Sequence, residues 1–158
     1  MTFTIFLSHN GKDTTSAIAL AQYLRQIPDT EVFLSEENVI AGNLADGLIA
    51  QIKKSDVFVV LHSTNSQASQ YVQNEIGVAR GNDKIMLILS LDPTKPTAML
   101  EGITYYSLYD AKSLPLVLDY LRQKAKEKSD NKALIEALAL LGTFLGGLAL
   151  GYWLSKYK

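Results

Sequence analysis

The sequence contains no cysteine, and its only histidines are His9 and His62. Without thiols the chain forms no disulfide, no cysteine-ligated zinc or iron–sulfur site and no thiol nucleophile. With two imidazoles we also expect no multi-histidine metal site. The 15 basic and 16 acidic residues give a formal net charge of −1. Because no general basic field is present, we expect no nucleic-acid partner.

Apolar residues, 47% of the chain, are concentrated near the C-terminus. The segment 133–154 reads ALIEALALLGTFLGGLALGYWL, with Glu136 as its one charge. As a helix of about 22 residues it reaches roughly 33 Å, enough to cross a hydrocarbon core of about 30 Å. Tyr152 and Trp153 end the segment, and basic residues precede it between Arg122 and Lys132. This pattern predicts a single membrane span with the N-terminal part in the cytoplasm.

An alternative interpretation of this segment is a buried C-terminal helix packed on the preceding domain, which its glycines and Glu136 favour. We prefer the membrane span because the segment is apolar on all faces and lacks the polar stripe of a surface helix. Its glycines recur at small-xxx-small spacing, in the pairs Gly142 with Gly146 and Gly147 with Gly151. Such pairs allow close approach of helices in lipid, so we expect self-association in the membrane.

The first 128 residues alternate short apolar runs with amphipathic stretches, which predicts an α/β domain. Strands apolar on both faces, each followed by a helix, indicate a central parallel five-stranded sheet covered on both sides, in a flavodoxin-like three-layer arrangement. A short polar linker, 129–132, then leads to the predicted span. The predicted strands are Phe3–Ser8, Glu31–Leu34, Asp56–Ser63, Lys84–Leu91 and Ile103–Leu108, and the predicted helices are Thr14–Gln26, Leu44–Ile52, Ser66–Arg80 and Leu114–Lys128.

In such a sheet a ligand binds outside the C-terminal ends of the strands, so the loops after Ser8, Leu34 and Ser63 are the candidate site. The sequence contains no Walker-type phosphate loop and no GxGxxG segment. Ser8 and His9 are adjacent at a strand end, but strand neighbours point to opposite faces and do not easily form one catalytic dyad. For these two residues a turn or pocket wall is the preferred interpretation.

Glu75 is singled out as a candidate site residue because Tyr71, four positions earlier, places an aromatic ring on the same helix face. A ring beside a carboxylate at the rim of the sheet can stack a heterocycle and hold a sugar. The alternative interpretation is an exposed glutamate paired with Arg80 or nearby lysines. Spacing alone favours this alternative over a binding site.

The N-terminal part resembles a bacterial Toll/interleukin-1 receptor (TIR) domain through about Lys128. FTIFLSHNGKD (3–13) is similar to the first box of that family, and residues 31–80 resemble its second strand, BB loop with Gly42, following helix, third strand and the Asn-Ser-x-x-Ser entry to the next helix. The family's glutamate lies in a Trp-x-x-x-Glu pattern. Tyr71-Val72-Gln73-Asn74-Glu75 matches the glutamate and has tyrosine in place of tryptophan.

The resemblance implies an enzyme that cleaves the nicotinamide–ribose bond of NAD+, releasing nicotinamide and ADP-ribose or a cyclic isomer. It implies Glu75 as the catalytic residue and NAD+ as substrate, with no separate cofactor. It also implies activation by self-assembly and, in bacteria, a role in antiphage defence. A non-catalytic TIR scaffold and a membrane-perturbing effector triggered by TIR clustering stay open as alternatives. The substrate-binding residues that the resemblance implies are Ser8, His9, Phe33, Gly42 and Tyr71.

Overall fold

A computed structural model of the chain describes residues 2–35 and 43–128, with side chains for all of them except 43–45. The predicted BB-loop Gly42, the linker 129–132 and the membrane span 133–154 lie outside the described residues. In the part of the chain that is described, no helix has the length and apolar character needed to cross a bilayer. The longest helix there has 16 residues.

Within the described ranges, five parallel strands form one sheet in the order β2-β1-β3-β4-β5. The predicted five-stranded parallel sheet and α/β class are confirmed. The chain steps outward from β1 to β2 and then returns past β1 to β3, so the strand order reverses between β1 and β3. The strands are β1 (Phe3–Ser8), β2 (Thr30–Leu34), β3 (Val57–His62), β4 (Ile85–Ser90) and β5 (Tyr105–Ser107).

Helices cover both faces of this sheet because every strand in its centre is apolar on both sides; all six residues of β3 are buried. Alternate residues of each strand face opposite layers. Ile5, Val59 and Leu61 belong to the core layer beneath the helices Thr14–Leu24 and Ser113–Lys128. Phe6 and Phe58 belong to the layer beneath the helices Asn43–Lys54 and Gln70–Gly81. The helices are α1 (Thr14–Leu24), α2 (Asn43–Lys54), α3 (Thr64–Ala68), α4 (Gln70–Gly81) and α5 (Ser113–Lys128), with 3₁₀ turns at Gly11–Asp13 and Ala98–Leu100.

The predicted single helix Ser66–Arg80 is wrong, because the structure divides this stretch into α3 and α4. Ser69 has extended backbone angles, φ −84° and ψ 115°, and its hydroxyl accepts a hydrogen bond from the Val72 N–H at 3.3 Å. A serine side chain that satisfies a free helical N–H starts a new helix rather than continuing the old one. The helix α3 therefore ends before Ser69, and α4 begins after it as a separate helix.

Candidate functional site at the C-terminal edge of the sheet

The C-terminal ends of the central strands carry buried polar side chains on the face covered by α2 and α4, called here the α4 face. Phe6, Val60 and Ile88 belong to the core of this face, so the residues two positions later in their strands point the same way. Those residues are Ser8, His62 and Ser90, each at most 2% exposed. His62 and Ser90 are also register partners on β3 and β4. Three hydrogen-bonding side chains thus line one edge of one layer.

Glu75 faces this edge from α4. Its side chain is 2% exposed, and the Ser8 hydroxyl donates a hydrogen bond to its Oε2 atom. The interpretation of Glu75 as an exposed helix glutamate is therefore wrong. Val72, Ile76 and Ala79 bury the same side of α4 against the sheet, and the i, i+3, i+4 spacing carries Glu75 inward with them. A buried carboxylate is kept only where donors compensate its lost hydration, and Ser8 is one such donor.

His9 points away from this pair. Its backbone N–H donates to Ser35 Oγ at 3.1 Å, its ring Nδ1 lies 3.5 Å from the same oxygen, and its Nε2 lies 3.4 Å from Thr14 Oγ1. The two faces predicted for Ser8 and His9 are confirmed, because Ser8 contacts Glu75 while His9 contacts Ser35 after β2 and Thr14 at the start of α1. His9 joins those two segments at the strand ends.

The two aromatic candidates are both half-buried and lie on different elements of the same layer. Phe33 is half-buried on β2, in register with Phe6, and packs against the core of the α4 face. Tyr71 is half-buried in the first turn of α4, one helical turn before Glu75. The structure therefore brings Ser8, Phe33, Tyr71 and Glu75 to one layer of the domain, and Gly42 lies outside the described residues.

The sequence analysis missed His62, which lies where the strand order reverses. Burial lowers the pKa of its imidazole, against the smaller opposing effects of the Asp92 carboxylate and the Thr94 and Lys95 backbone. Its Nε2 and Ser90 Oγ are buried and have no hydrogen-bond partner among the described residues. The sequence signal was present, since the His62-Ser63 dipeptide ends β3 much as Ser8-His9 ends β1.

A second polar cluster surrounds the loop after β3. Ser63 Oγ donates to Asp13 Oδ2 at 2.5 Å, and Asn65 Nδ2 donates to Asp13 Oδ1 at 3.1 Å. These bonds tie the start of α1 to the start of α3 across the reversal point. Ser63 also forms a reciprocal capping box with Ser66, which explains why α3 begins there.

Asp92 holds the loop after β4 against the same region. The Thr64 N–H donates to its Oδ2 at 2.8 Å, and the Thr94 N–H donates to its Oδ1 at 2.9 Å. Burial alone would raise the Asp92 pKa, but hydrogen bonds from Thr94 and Thr64 together hold it below its ordinary value. An ionised carboxylate at this edge therefore braces two loops. Across residues 2–35 and 43–128, histidine and acidic side chains form no group of three or more able to hold a metal ion.

No curated protein sequence matches the chain significantly. A solved structure of a 2-desoxiribosyltransferase from Leishmania mexicana is similar at 17% sequence identity and a TM-score of 0.46, over 60% of this chain and 67% of that one. A likeness of this degree carries no argument about function. A family model described as TIR domain matches residues 5–116, well over half of the chain and nearly all of the described fold. The chain therefore belongs to the TIR domain family.

Proposed function

We propose that this TIR domain cleaves the bond between nicotinamide and ribose in NAD+, with Glu75 as the catalytic residue. The observation that carries the proposal is the buried Glu75 carboxylate, held by the Ser8 hydroxyl at the C-terminal edge of the sheet. Ligands of open α/β sheets bind at this edge, next to the reversal of strand order. Carboxylates are seldom fully buried, and buried ones recur at functional sites.

The chemistry of the leaving group suits a site with one carboxylate. Ordinary glycoside hydrolysis needs a carboxylic acid to protonate the departing oxygen and a second carboxylate to assist the attack. In NAD+ the nicotinamide ring is already cationic. When the C–N bond breaks, its electron pair stays on the ring nitrogen and neutralises it, so no proton donor is needed.

The positive charge that leaves the nicotinamide develops on the ribose. We assign Glu75 to bind the ribose hydroxyls and to stabilise that charge, an electrostatic effect that a buried site strengthens. A ribose hydroxyl would donate to Glu75 as the Ser8 hydroxyl does in this structure. Attack by water, with loss of its proton, gives ADP-ribose, whereas attack by an adenine nitrogen gives a cyclic isomer.

The remaining candidate residues receive supporting roles in this proposal. Tyr71 and Phe33 supply rings to the layer that contains Glu75, and aromatic rings stack well on flat heterocycles. His9 shapes the turn after β1 through Ser35 and Thr14 rather than contacting the carboxylate. Gly42 is assigned to the loop after β2 on the strength of the family resemblance.

We further propose that the chain is a single-pass membrane protein whose TIR domain lies in the cytoplasm and is activated by self-association. Tethering raises the effective concentration of domains that must assemble to act. The sequence of 133–154 and its paired glycines support this part of the proposal. Depletion of NAD+ by such an assembly fits a role in antiphage defence.

The test is release of nicotinamide from NAD+ by the full chain at high density in liposomes, followed by chromatography. We expect Glu75→Gln to lower the rate by about 100-fold or more, the size of effect seen when one electrostatic contact to a transition state is lost. Glu101→Gln is the matched control, because Glu101 is exposed and precedes the start of β5, away from the C-terminal ends of the strands. We expect it to retain the wild-type rate.

The same assay separates the proposed enzyme from its alternatives. Equal release by the wild type and Glu75→Gln would contradict the catalytic assignment. No release by the wild type at high density would favour a non-catalytic scaffold. Toxicity that survives Glu75→Gln but is lost when Gly146 and Gly147 are replaced by leucine would favour a membrane-perturbing effector.

A further inference from the structure

The two edges of the sheet differ in charge, and this difference has a structural origin. All strands are parallel and the helices return antiparallel to them, so helix C-termini and strand starts share one edge. Lysine and arginine are favoured at helix C-termini by the helix dipole. Among the described residues, eight basic and six acidic side chains flank this N-terminal edge, against three basic and five acidic at the C-terminal edge.

We call the N-terminal edge with its basic residues the basic edge. Its cations are Arg25, Lys53, Lys54, Arg80, Lys84, Lys124, Lys126 and Lys128, and its acids are Asp29, Glu31, Asp56, Asp83, Glu101 and Glu127. Two of these acids are already paired, Asp56 with Lys128 at 2.7 Å and Glu127 with Lys124 at 2.8 Å. The cations of α2 and α4 that remain, Lys53, Lys54 and Arg80, are exposed to solvent.

The last described helix ends at this same edge. Lys128 Nζ donates to the Thr2 carbonyl oxygen at 2.9 Å and to both carboxylate oxygens of Asp56. Asp56 in turn accepts hydrogen bonds from the N–H and hydroxyl of Thr4. The chain therefore leaves the domain beside the start of β1 and β3, on the side opposite Ser8 and Glu75.

The chain that follows is too short to carry the domain away from a bilayer. From Lys128 to Ala133, where the apolar segment begins, five residue steps reach at most about 18 Å. Electrostatic attraction to an anionic surface extends over a Debye length of about 10 Å at moderate ionic strength. A domain tethered at this edge keeps its basic residues close to the headgroups.

We propose that the basic edge docks on the anionic cytoplasmic leaflet and that the C-terminal edge, with Glu75, faces away from the membrane. Juxtamembrane lysines and arginines bind anionic headgroups through this kind of attraction. A cleft of about 420 Å³ opens at the basic edge between Arg80, Asp83, Lys84, Met86 and Ile103. Two cations, one carboxylate and two apolar side chains line it, so basic and apolar groups for a phospholipid headgroup and its glycerol lie side by side. Docking leaves the opposite edge open to NAD+ and to neighbouring domains.

The absence of cysteine permits a direct test with single labels on the full chain. Gln26→Cys lies at the basic edge and Ala111→Cys at the C-terminal edge, and both positions are exposed and uncharged. Each variant carries a fluorophore and is reconstituted with a quencher attached to lipid headgroups. Liposomes contain phosphatidylcholine alone or phosphatidylcholine with phosphatidylglycerol.

In the phosphatidylglycerol liposomes we expect quenching at position 26 to be several-fold stronger than at position 111, and to weaken in phosphatidylcholine alone or in high salt. The double change Lys53→Glu with Lys54→Glu should reduce quenching at position 26. Lys95→Glu with Lys112→Glu makes the same charge change at the other edge and should not. Equal quenching at the two positions or indifference to phosphatidylglycerol, in a chain that floats with liposomes, would overturn the docking proposal alone. Docking rests on the membrane span proposed above, and failure of the chain to float would overturn both. NAD+ cleavage plays no part in this readout, so failure of the Glu75 assignment is seen separately.

Discussion

The hydroxyl of Ser8 donates a hydrogen bond to the carboxylate of Glu75, joining residues 67 positions apart in the chain. Ser8 is the last residue of β1, and Glu75 lies midway along α4. Both are almost wholly shielded from solvent. The bond therefore links the position of α4 to the end of the central strand, and it is the contact on which the proposed activity depends.

We expect Ser8→Ala to lower the free energy of unfolding by about 1.5–3 kcal/mol, because a buried charged acceptor loses a donor. Chemical denaturation of the full chain in detergent measures the change. Thr15→Ala, at an exposed position of α1, is the control and should cost within about 0.5 kcal/mol.

A double-mutant cycle shows whether the cost of Ser8→Ala arises at Glu75. Glu75→Gln replaces the carboxylate with a neutral amide. In that background Ser8→Ala should therefore lower the free energy of unfolding by less than it does in the wild type. The same cost in both backgrounds would contradict a charge-assisted bond between the two residues.

The Lys128–Asp56 pair makes a second prediction, concerning acid stability. Burial would raise the Asp56 pKa, but bonds from Lys128 and Thr4 together lower it below its ordinary value of 3.8. A carboxyl whose pKa is lower in the folded state stabilises the fold above its unfolded pKa and loses that effect as pH falls through the folded value. We expect Lys128→Met to lower the free energy of unfolding by about 1 kcal/mol near neutral pH. Because Asp56 then lacks its charged partner, the variant should lose less stability than the wild type below about pH 4.

The matched control for this pair is Lys124→Met. The Lys124–Glu127 pair joins solvent-exposed charges of one helix, so its removal should leave the free energy of unfolding nearly unchanged. Denaturation curves at several pH values measure both variants. An equal effect from the two substitutions would show that the Lys128 contacts do not anchor α5.

His62 provides a third prediction, also about pH. Burial lowers the pKa of its imidazole below 6.5 in the folded chain, while the unfolded chain keeps the ordinary value. As pH is lowered below about 6.5, the unfolded state therefore binds a proton at His62 before the folded state does. Over this range the free energy of unfolding falls by up to about 1.4 kcal/mol for each pH unit of acidification. In His62→Gln this contribution to the slope should disappear. An unchanged slope would contradict the assignment.

The break between α3 and α4 gives a fourth prediction. Ser69→Ala removes the side-chain oxygen that accepts the Val72 N–H, and we expect a loss of about 1 kcal/mol in the free energy of unfolding. Ser69→Asp keeps an acceptor at the start of α4 and should retain most of the stability. If alanine stabilised the chain, a continuous helix through position 69 would be favoured and the break would have another origin.

Much of the domain could be predicted from residue patterns. Continuous apolar runs identified the strands, since a central strand of a parallel sheet is buried on both faces and shows no alternation. The predicted bounds of β1 match the structure. The division at Ser69 could not be predicted from helical spacing, because Ser66, Ser69 and Val72 fit one continuous helix as well as two, and only the local hydrogen bonds separate them.

By itself the sequence determined the class of fold, the run of strands and helices, and membership of residues 5–116 in the TIR domain family. These depend on hydrophobic periodicity and on motifs within short stretches of chain. Tertiary structure alone decided that Glu75 is buried rather than exposed, that it accepts a hydrogen bond from Ser8, and that His62 lies on the same face. Those relationships depend on how α4 packs over distant strands, and the periodicity of a helix does not identify the partner that each of its side chains contacts.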